Sequence, residues 1–331
     1  MPTALFTVGA IFSFLFGITV GSFLNVCIYR LPAGESIVHP PSHCPRCTKR
    51  LRPADLVPLL SYLALRAKCR YCHTRISPRY FIIELITGLL FVAGVWSLVR
   101  WYQVDVASPL FVLMVIALWA FTASMLVTFM IDLDTTYVIE PVTWVGMGAG
   151  VVFEVLRAGN LGAIKTTLGG LTIPYLPMAV PGMIIGFLVF VLMDLFGRLI
   201  FRKPGMGLGD AFIGAAIGAM LGPGLALLSF GMAIALGAVV GIVLIIAGSL
   251  HPSPAPGSET TDTPAKGKGK GKKKDSASEG PLQETDEEEP QGRYMPFGPF
   301  LTASAMAVAL APDWFLTHAA HAWHWWLSLA G

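Results

Sequence analysis

Long apolar runs constrain this chain more than any other feature. They fall near residues 5–28, 81–99, 109–131, 141–156, 179–200, 210–222, 224–249 and 295–312. Several approach the roughly 20 residues that a helix needs to cross a bilayer. With 54% hydrophobic and only 13% charged residues, a soluble fold would leave too much apolar surface in water, so lipid is the solvent for most of the chain. The pattern predicts an all-α polytopic membrane protein of about eight transmembrane helices. The runs at 141–156 and 210–222 are short and contain glycine, and 159–178 is expected to form an outer or interfacial connector. No Lys or Arg precedes the first run and no small-residue cleavage site follows it. It therefore reads as a retained span and not as a signal peptide.

Charge placement orients these spans. With eight spans and the N-terminus outside, the inner segments are 29–80, 132–140, 198–209 and 250–294. They carry 10, 0, 3 and 7 Lys or Arg, 20 of the 23 in the chain. Only Arg100, Arg157 and Lys165 fall outside, an asymmetry that obeys the positive-inside rule. The expected organisation is a first span at 1–29, an inner loop at 30–80, a membrane core at 81–249, an inner insert at 250–293 and a last span with an outer tail at 294–331. The insert holds a basic run from Lys266 to Lys274 and an acidic run from Glu284 to Glu289, and it has too little apolar material to build a core. The tail, with Trp314, Trp323, Trp325 and Trp326 beside His318, His321 and His324, reads as an interfacial aromatic anchor.

Acids are rare in spans because an ionised carboxylate in hydrocarbon costs about 2.5–3.5 kcal/mol even on lenient scales. Asp132 and Asp134 lie at the inner end of the third span, and Asp210 follows Gly207-Leu208-Gly209 at the inner start of the sixth. Two helix ends from separate parts of the chain thus bring carboxyls to one membrane face, as an aspartic dyad requires. In such a pair one group stays ionised and activates water, while the other keeps its proton and polarises a carbonyl. The competing reading makes each acid a solvated helix cap. For Glu84, Glu154 and Asp194, a structural hydrogen bond is the expected role.

Cys44-Pro45-Arg46-Cys47 and Cys69-Arg70-Tyr71-Cys72 lie 21 residues apart in the basic inner loop. Four thiolates in two C-x-x-C pairs predict a closed tetrahedral zinc site, structural because no position remains for water. A loop of about fifty polar residues has little core of its own, so the metal would supply much of its folding energy.

These residues resemble the type IV prepilin peptidases, a family of bifunctional membrane enzymes. The resemblance runs through Gly21-Ser22-Phe23-Leu24-Asn25-Val26 with Tyr29-Arg30-Leu31-Pro32, then through the cysteine pairs with Pro58-Leu59-Leu60-Ser61-Tyr62-Leu63 between them. It continues through Ile76-Ser77-Pro78-Arg79-Tyr80 and Glu84-Leu85, Ile131-Asp132-Leu133-Asp134, Gly207-Leu208-Gly209-Asp210 and Pro296-Phe297-Gly298-Pro299-Phe300. It implies a catalytic pair of Asp132 and Asp210, with Asp134 as the alternative first member. It also implies a bacterial inner-membrane enzyme that cuts type IV prepilins or type II secretion pseudopilins on the cytoplasmic side. The cut would follow a glycine that ends a short basic leader, and S-adenosylmethionine would then methylate the new N-terminus. The implied partners are those substrates and the lipid bilayer, with no nucleic acid. Three positions depart from the family pattern: Ile139-Glu140-Pro141 replaces the usual Pro-Asp, Phe212 replaces a lysine and Phe81 a proline. A presenilin-like intramembrane protease and a non-catalytic zinc-ribbon scaffold are the alternative readings.

Overall fold

The computed structural model describes residues 3–160, 166–168, 171–173, 178–201, 207–246 and 296–318. The 250–293 insert and the tail beyond residue 318 lie outside the described residues, as does most of the 159–178 connector. The helices are α1 (Thr3–Arg30), α2 (Leu60–Ala64), α3 (Pro78–Arg100), α4 (Phe111–Thr135), α5 (Glu140–Asn160), α6 (Ala179–Phe201), α7 (Leu208–Ile246) and α8 (Gly298–Leu310). Strands β1 (Thr166–Leu168) and β2 (Leu171–Ile173) pair antiparallel, with Thr166 opposite Ile173. That hairpin, within the connector, is the one departure from an all-α fold among the described residues. The described residues up to 237 and from 296 onward belong to one compact unit, and 238–246 fall outside it.

Not all of the eight expected spans meet the length and apolarity of a membrane helix as separate helices. Among the described residues five helices are long and apolar enough to cross a membrane, and six if Gly298–Leu310 and Pro312–His318, bent by 99°, make one broken span. Two physical reasons account for the difference. Helix α5 carries Glu140, Glu154 and Arg157, which lower its apolarity. The runs at 210–222 and 224–249 join into the 39-residue α7, which at 1.5 Å per residue is about 58 Å long, twice the hydrocarbon thickness. Gly222, at φ 71° and ψ 173°, breaks it just before Pro223, so α7 is two helical limbs joined at a kink.

Close helix packing shapes the larger unit. A Cβ on Gly17 or Gly21 of α1 would come within 2.8 Å of the Gly88 or Glu84 Cα of α3, so these backbones touch as small-residue membrane interfaces do. Asn25, buried in α1, donates to the Tyr80 carbonyl at the start of α3 at 3.2 Å. The core continues through Phe91 stacked on Trp119, with ring centroids 4.6 Å apart. The Trp119 indole donates to the Phe91 carbonyl at 2.9 Å, which satisfies its one polar atom inside the bundle. Helix α4 packs on both α5 and α8, and these contacts bring the C-terminal end of α4 to the start of α8.

Candidate active site

Helix α4 ends where Thr136 takes a left-handed conformation (φ 53°) and its N–H bonds to the Asp132 carbonyl at 2.9 Å. This αL cap fixes the last turn and with it two acids that face different surroundings. Asp132 is 5% exposed, and its Oδ2 is buried without a hydrogen-bond partner. Asp134 is exposed and held in a two-pronged ion pair, with Arg79 Nη1 at 2.8 Å from Oδ1 and Nη2 at 2.5 Å from Oδ2.

Asp210 stands in the first turn of α7, where the unpaired N–H groups of a helix start favour an acid. Its N–H bonds to the Gly207 carbonyl at 3.1 Å, closing the turn before the helix. Two backbone contacts draw this turn to the end of α4. A Cβ on Gly209 would come within 2.6 Å of the Val138 Cβ, six residues beyond Asp132. A Cβ on Gly298, the first residue of α8, would collide with the Asp132 carboxylate and lie 3.5 Å from Ile213 Cδ1, one turn along α7 from Asp210. The end of α4 and the first turns of α7 are thus packed together on either side of Gly298. The two acids of the first motif differ in their surroundings: Asp132 is buried against Gly298, and Asp134 is paired with Arg79.

The four cysteines come together as two copies of one knuckle. In each, the first Cys N–H bonds forward (Cys44 to the Lys49 carbonyl at 3.0 Å, Cys69 to the Thr74 carbonyl at 2.8 Å). The residue after the second Cys then turns left-handed, Thr48 at φ 55° and His73 at φ 56°. The bridges His43–Arg50 and Lys68–Arg75 close both at the same spacing. All four Sγ atoms lie within 4.8 Å of one another, and Cys44 and Cys72 are 3.8 Å apart. A tetrahedron with Zn–S of about 2.3 Å has sulfurs about 3.8 Å apart, so the donor set fits zinc in number, chemistry and size. Burial opposes ionisation of Cys44, but N–H groups of Cys47 and Arg46 and the neighbouring thiols bring its pKa down to about 6. At Cys72 the Thr74 N–H favours the thiolate, yet burial and three neighbouring cysteines push it up to about 11.

The loop is tied to both its surroundings and the bundle. The Asp55 carboxylate, 2% exposed at its side chain, accepts from Arg70 Nε at 2.6 Å, within the second knuckle. Burial works against that charge, but the Arg70 bond outweighs it and holds the Asp55 pKa below the ordinary carboxylate value. Glu84, buried in α3, accepts the Leu59 N–H at 2.8 Å, and Phe81 packs on Tyr62 of α2 at 5.4 Å. The structural roles expected for the other acids hold in kind: Glu154 pairs with Arg157 at 3.0 Å and Asp194 with Arg198 at 2.8 Å. Sequence reasoning missed Arg79 as the partner of Asp134 and Gly298 as the residue against Asp132. Both belong to motifs that it singled out, but nothing in a motif tells which far segment it meets.

Comparison with known proteins agrees with this arrangement. The family model described as the bacterial peptidase A24 N-terminal domain matches residues 15–98, which include the four cysteines, and the type IV leader peptidase family matches residues 119–242, which include Asp132, Asp134 and Asp210. A Myxococcus xanthus protein named prepilin leader peptidase/N-methyltransferase is 34% identical over 329 residues, covering 92% of this chain and 91% of that relative. This chain belongs to the type IV leader peptidase family. Other members include an Escherichia coli O78:H11 type 4 prepilin-like proteins leader peptide-processing enzyme, 32% identical over 62% of this chain and 75% of the relative. A Neisseria gonorrhoeae prepilin leader peptidase/N-methyltransferase is 34% identical over 62% of this chain and 72% of its own length. No solved structure matches the chain significantly.

Proposed function

We propose that this protein is a membrane aspartic endopeptidase that removes the leader peptide of type IV prepilins or type II secretion pseudopilins, with Asp132 and Asp210 as its catalytic pair. The observation that carries the proposal is the convergence of two span ends: the Asp132 carboxyl, buried at the end of α4 with Oδ2 lacking a hydrogen-bond partner, lies against Gly298, which also meets Ile213 one turn along α7 from Asp210. A solvated cap does not describe an acid that is 5% exposed and has one buried oxygen without a partner, because such burial costs free energy. In the proposed reaction the ionised carboxyl takes a proton from a water that attacks the scissile carbonyl. The protonated carboxyl donates a hydrogen bond to the carbonyl oxygen, and the tetrahedral intermediate collapses as the leaving amine takes up a proton.

The proposed setting is a bacterial inner membrane with the N-terminus outside and the aspartates at the cytoplasmic face, following the Lys/Arg asymmetry. Cys44, Cys47, Cys69 and Cys72 would hold a structural zinc, which supplies no open position for catalysis. Methylation of the new N-terminus is proposed from the names of the relatives, with S-adenosylmethionine as methyl donor; no described residues are assigned to that cofactor. Residues 250–293 are proposed as a linker and 294–331 as the last span with its aromatic anchor. The function is tested with two purified substrates in membranes. One carries its cut site just before a hydrophobic helix, and the other carries it halfway along the helix. Cleavage of the first alone, with one new N-terminus by mass spectrometry, is expected; cleavage of the second would favour the presenilin-like alternative. A product heavier by one methyl group when donor is added would establish the second activity.

A further inference from the structure

A cavity of about 440 Å³ lies between the chain leaving α1 and the turn from α4 to α5, bounded by Leu31, Pro32, Tyr137, Ile139, Glu140 and Pro141. Its volume falls within the roughly 300–1,000 Å³ of ligand pockets. The site is an open groove that presents more polar than apolar surface; Leu31, Pro32, Ile139 and Pro141 are its apolar residues, Tyr137 is 66% exposed, and Glu140 is the lining residue with a charge. Among the described residues the Glu140 carboxylate has no ion-pair partner. The arginines of the adjoining segments are committed elsewhere: Arg30 to the Ser36 and Pro40 carbonyls at 2.9 and 2.7 Å, Arg79 to Asp134.

The cavity adjoins the aspartates. Val138, between the lining residues Tyr137 and Ile139, is the residue packed on Gly209 immediately before Asp210. Glu140 is two residues further, at most about 7 Å of extended chain. A peptide held at Asp132 and Asp210 would therefore present a side chain one or two residues from its cut site to this cavity.

What arrives there follows from membrane electrostatics. A substrate helix inserted with its N-terminal end inside carries Lys or Arg on that flank, so a cut just before the helix has cations on its leader side. Such side chains join an apolar stem to a charged head. The apolar residues suit the stem, the Tyr137 face attracts a cation and the carboxylate supplies its counter-charge. We propose that this cavity is the subsite for a cationic side chain of the substrate's leader, with Glu140 as the specificity-determining residue. The proposal rests on the peptidase function above.

The test uses three substrates that differ only in the leader residue nearest the cut site that carries charge: Lys, Ala or Glu. They are supplied to full-length wild type, Glu140→Gln and Glu140→Lys in membranes, with insertion measured. The wild type is expected to cut the Lys form about tenfold better, in kcat/KM, than the Ala form, roughly the effect of one partly desolvated charge pair. Glu140→Gln should lose most of that preference through KM with kcat kept, and Glu140→Lys should prefer the Glu form. Variants that keep the wild-type order of preference, whether or not all rates fall together, would overturn the subsite and leave Glu140 as a helix-start acid. A wild type that cuts none of the three would overturn the peptidase function itself, and the subsite with it.

Discussion

Adding one methyl group at Gly298 is a sharp probe of the proposed centre. A Cβ there would collide with Asp132 Oδ2 and sit 3.0 Å from its Cγ. Carbon atoms in ordinary contact are about 3.5–4.0 Å apart, so the carboxyl or the start of α8 must yield by about 0.5–1 Å. Overpacking of this kind costs about 1–3 kcal/mol, against which Ala gains about 1 kcal/mol over Gly in a helix, so Gly298→Ala should still fold and insert. A reacting group displaced by about 1 Å loses on the order of 100-fold in rate. The expected result in a membrane cleavage assay is therefore a drop in kcat near two orders of magnitude with normal protein levels. Gly148→Ala, where a Cβ meets nothing within 4 Å, should cleave as the wild type does and serves as the control. Wild-type cleavage by Gly298→Ala would refute the reasoning, because an Asp132 carboxylate that can be moved without consequence is not where the chemistry happens.

Other consequences concern the loop, the neighbouring acid and the insert. Metal analysis should find about one zinc per chain. Because zinc takes thiolates and binding releases the thiol protons, zinc retention against a chelator should weaken as pH falls; retention independent of pH would contradict the four-thiolate site. Asp134→Asn breaks an ion pair that is more than a third exposed on both sides, so it should cost no more than about 1 kcal/mol of stability and leave cleavage within a few-fold, as read from thermal unfolding and the peptide assay. Deletion of residues 255–290 should leave cleavage intact; its loss in a protein that still inserts would show that the insert has a working role.

The parts of this molecule that were legible in the sequence are those set by local chemistry. Hydropathy located α1, α3 and α4, since each residue's transfer from water to lipid is its own property. The two C-x-x-C pairs pointed to one shared cluster, and the four Sγ atoms do come within 4.8 Å of one another. Both aspartates were placed at helix ends, where the structure has them; that Asp132 is buried and Asp134 pairs with Arg79 was not legible. What escaped depends on partners far along the chain. The expected apolar run at 141–156 took in Glu154 but ended one residue short of Arg157, the side chain that pairs with it. The contact of Gly298 with Asp132, across 166 residues of sequence, is a product of α4–α8 packing and has no local signature.

The central claim is most directly tested by cleavage of a prepilin-like substrate in membranes by wild type, Asp132→Asn, Asp134→Asn and Asp210→Asn, with insertion verified for each. The account predicts that Asp132→Asn and Asp210→Asn abolish cleavage while Asp134→Asn keeps it. Cleavage retained by either of the first two, or lost in Asp134→Asn alone, would contradict it.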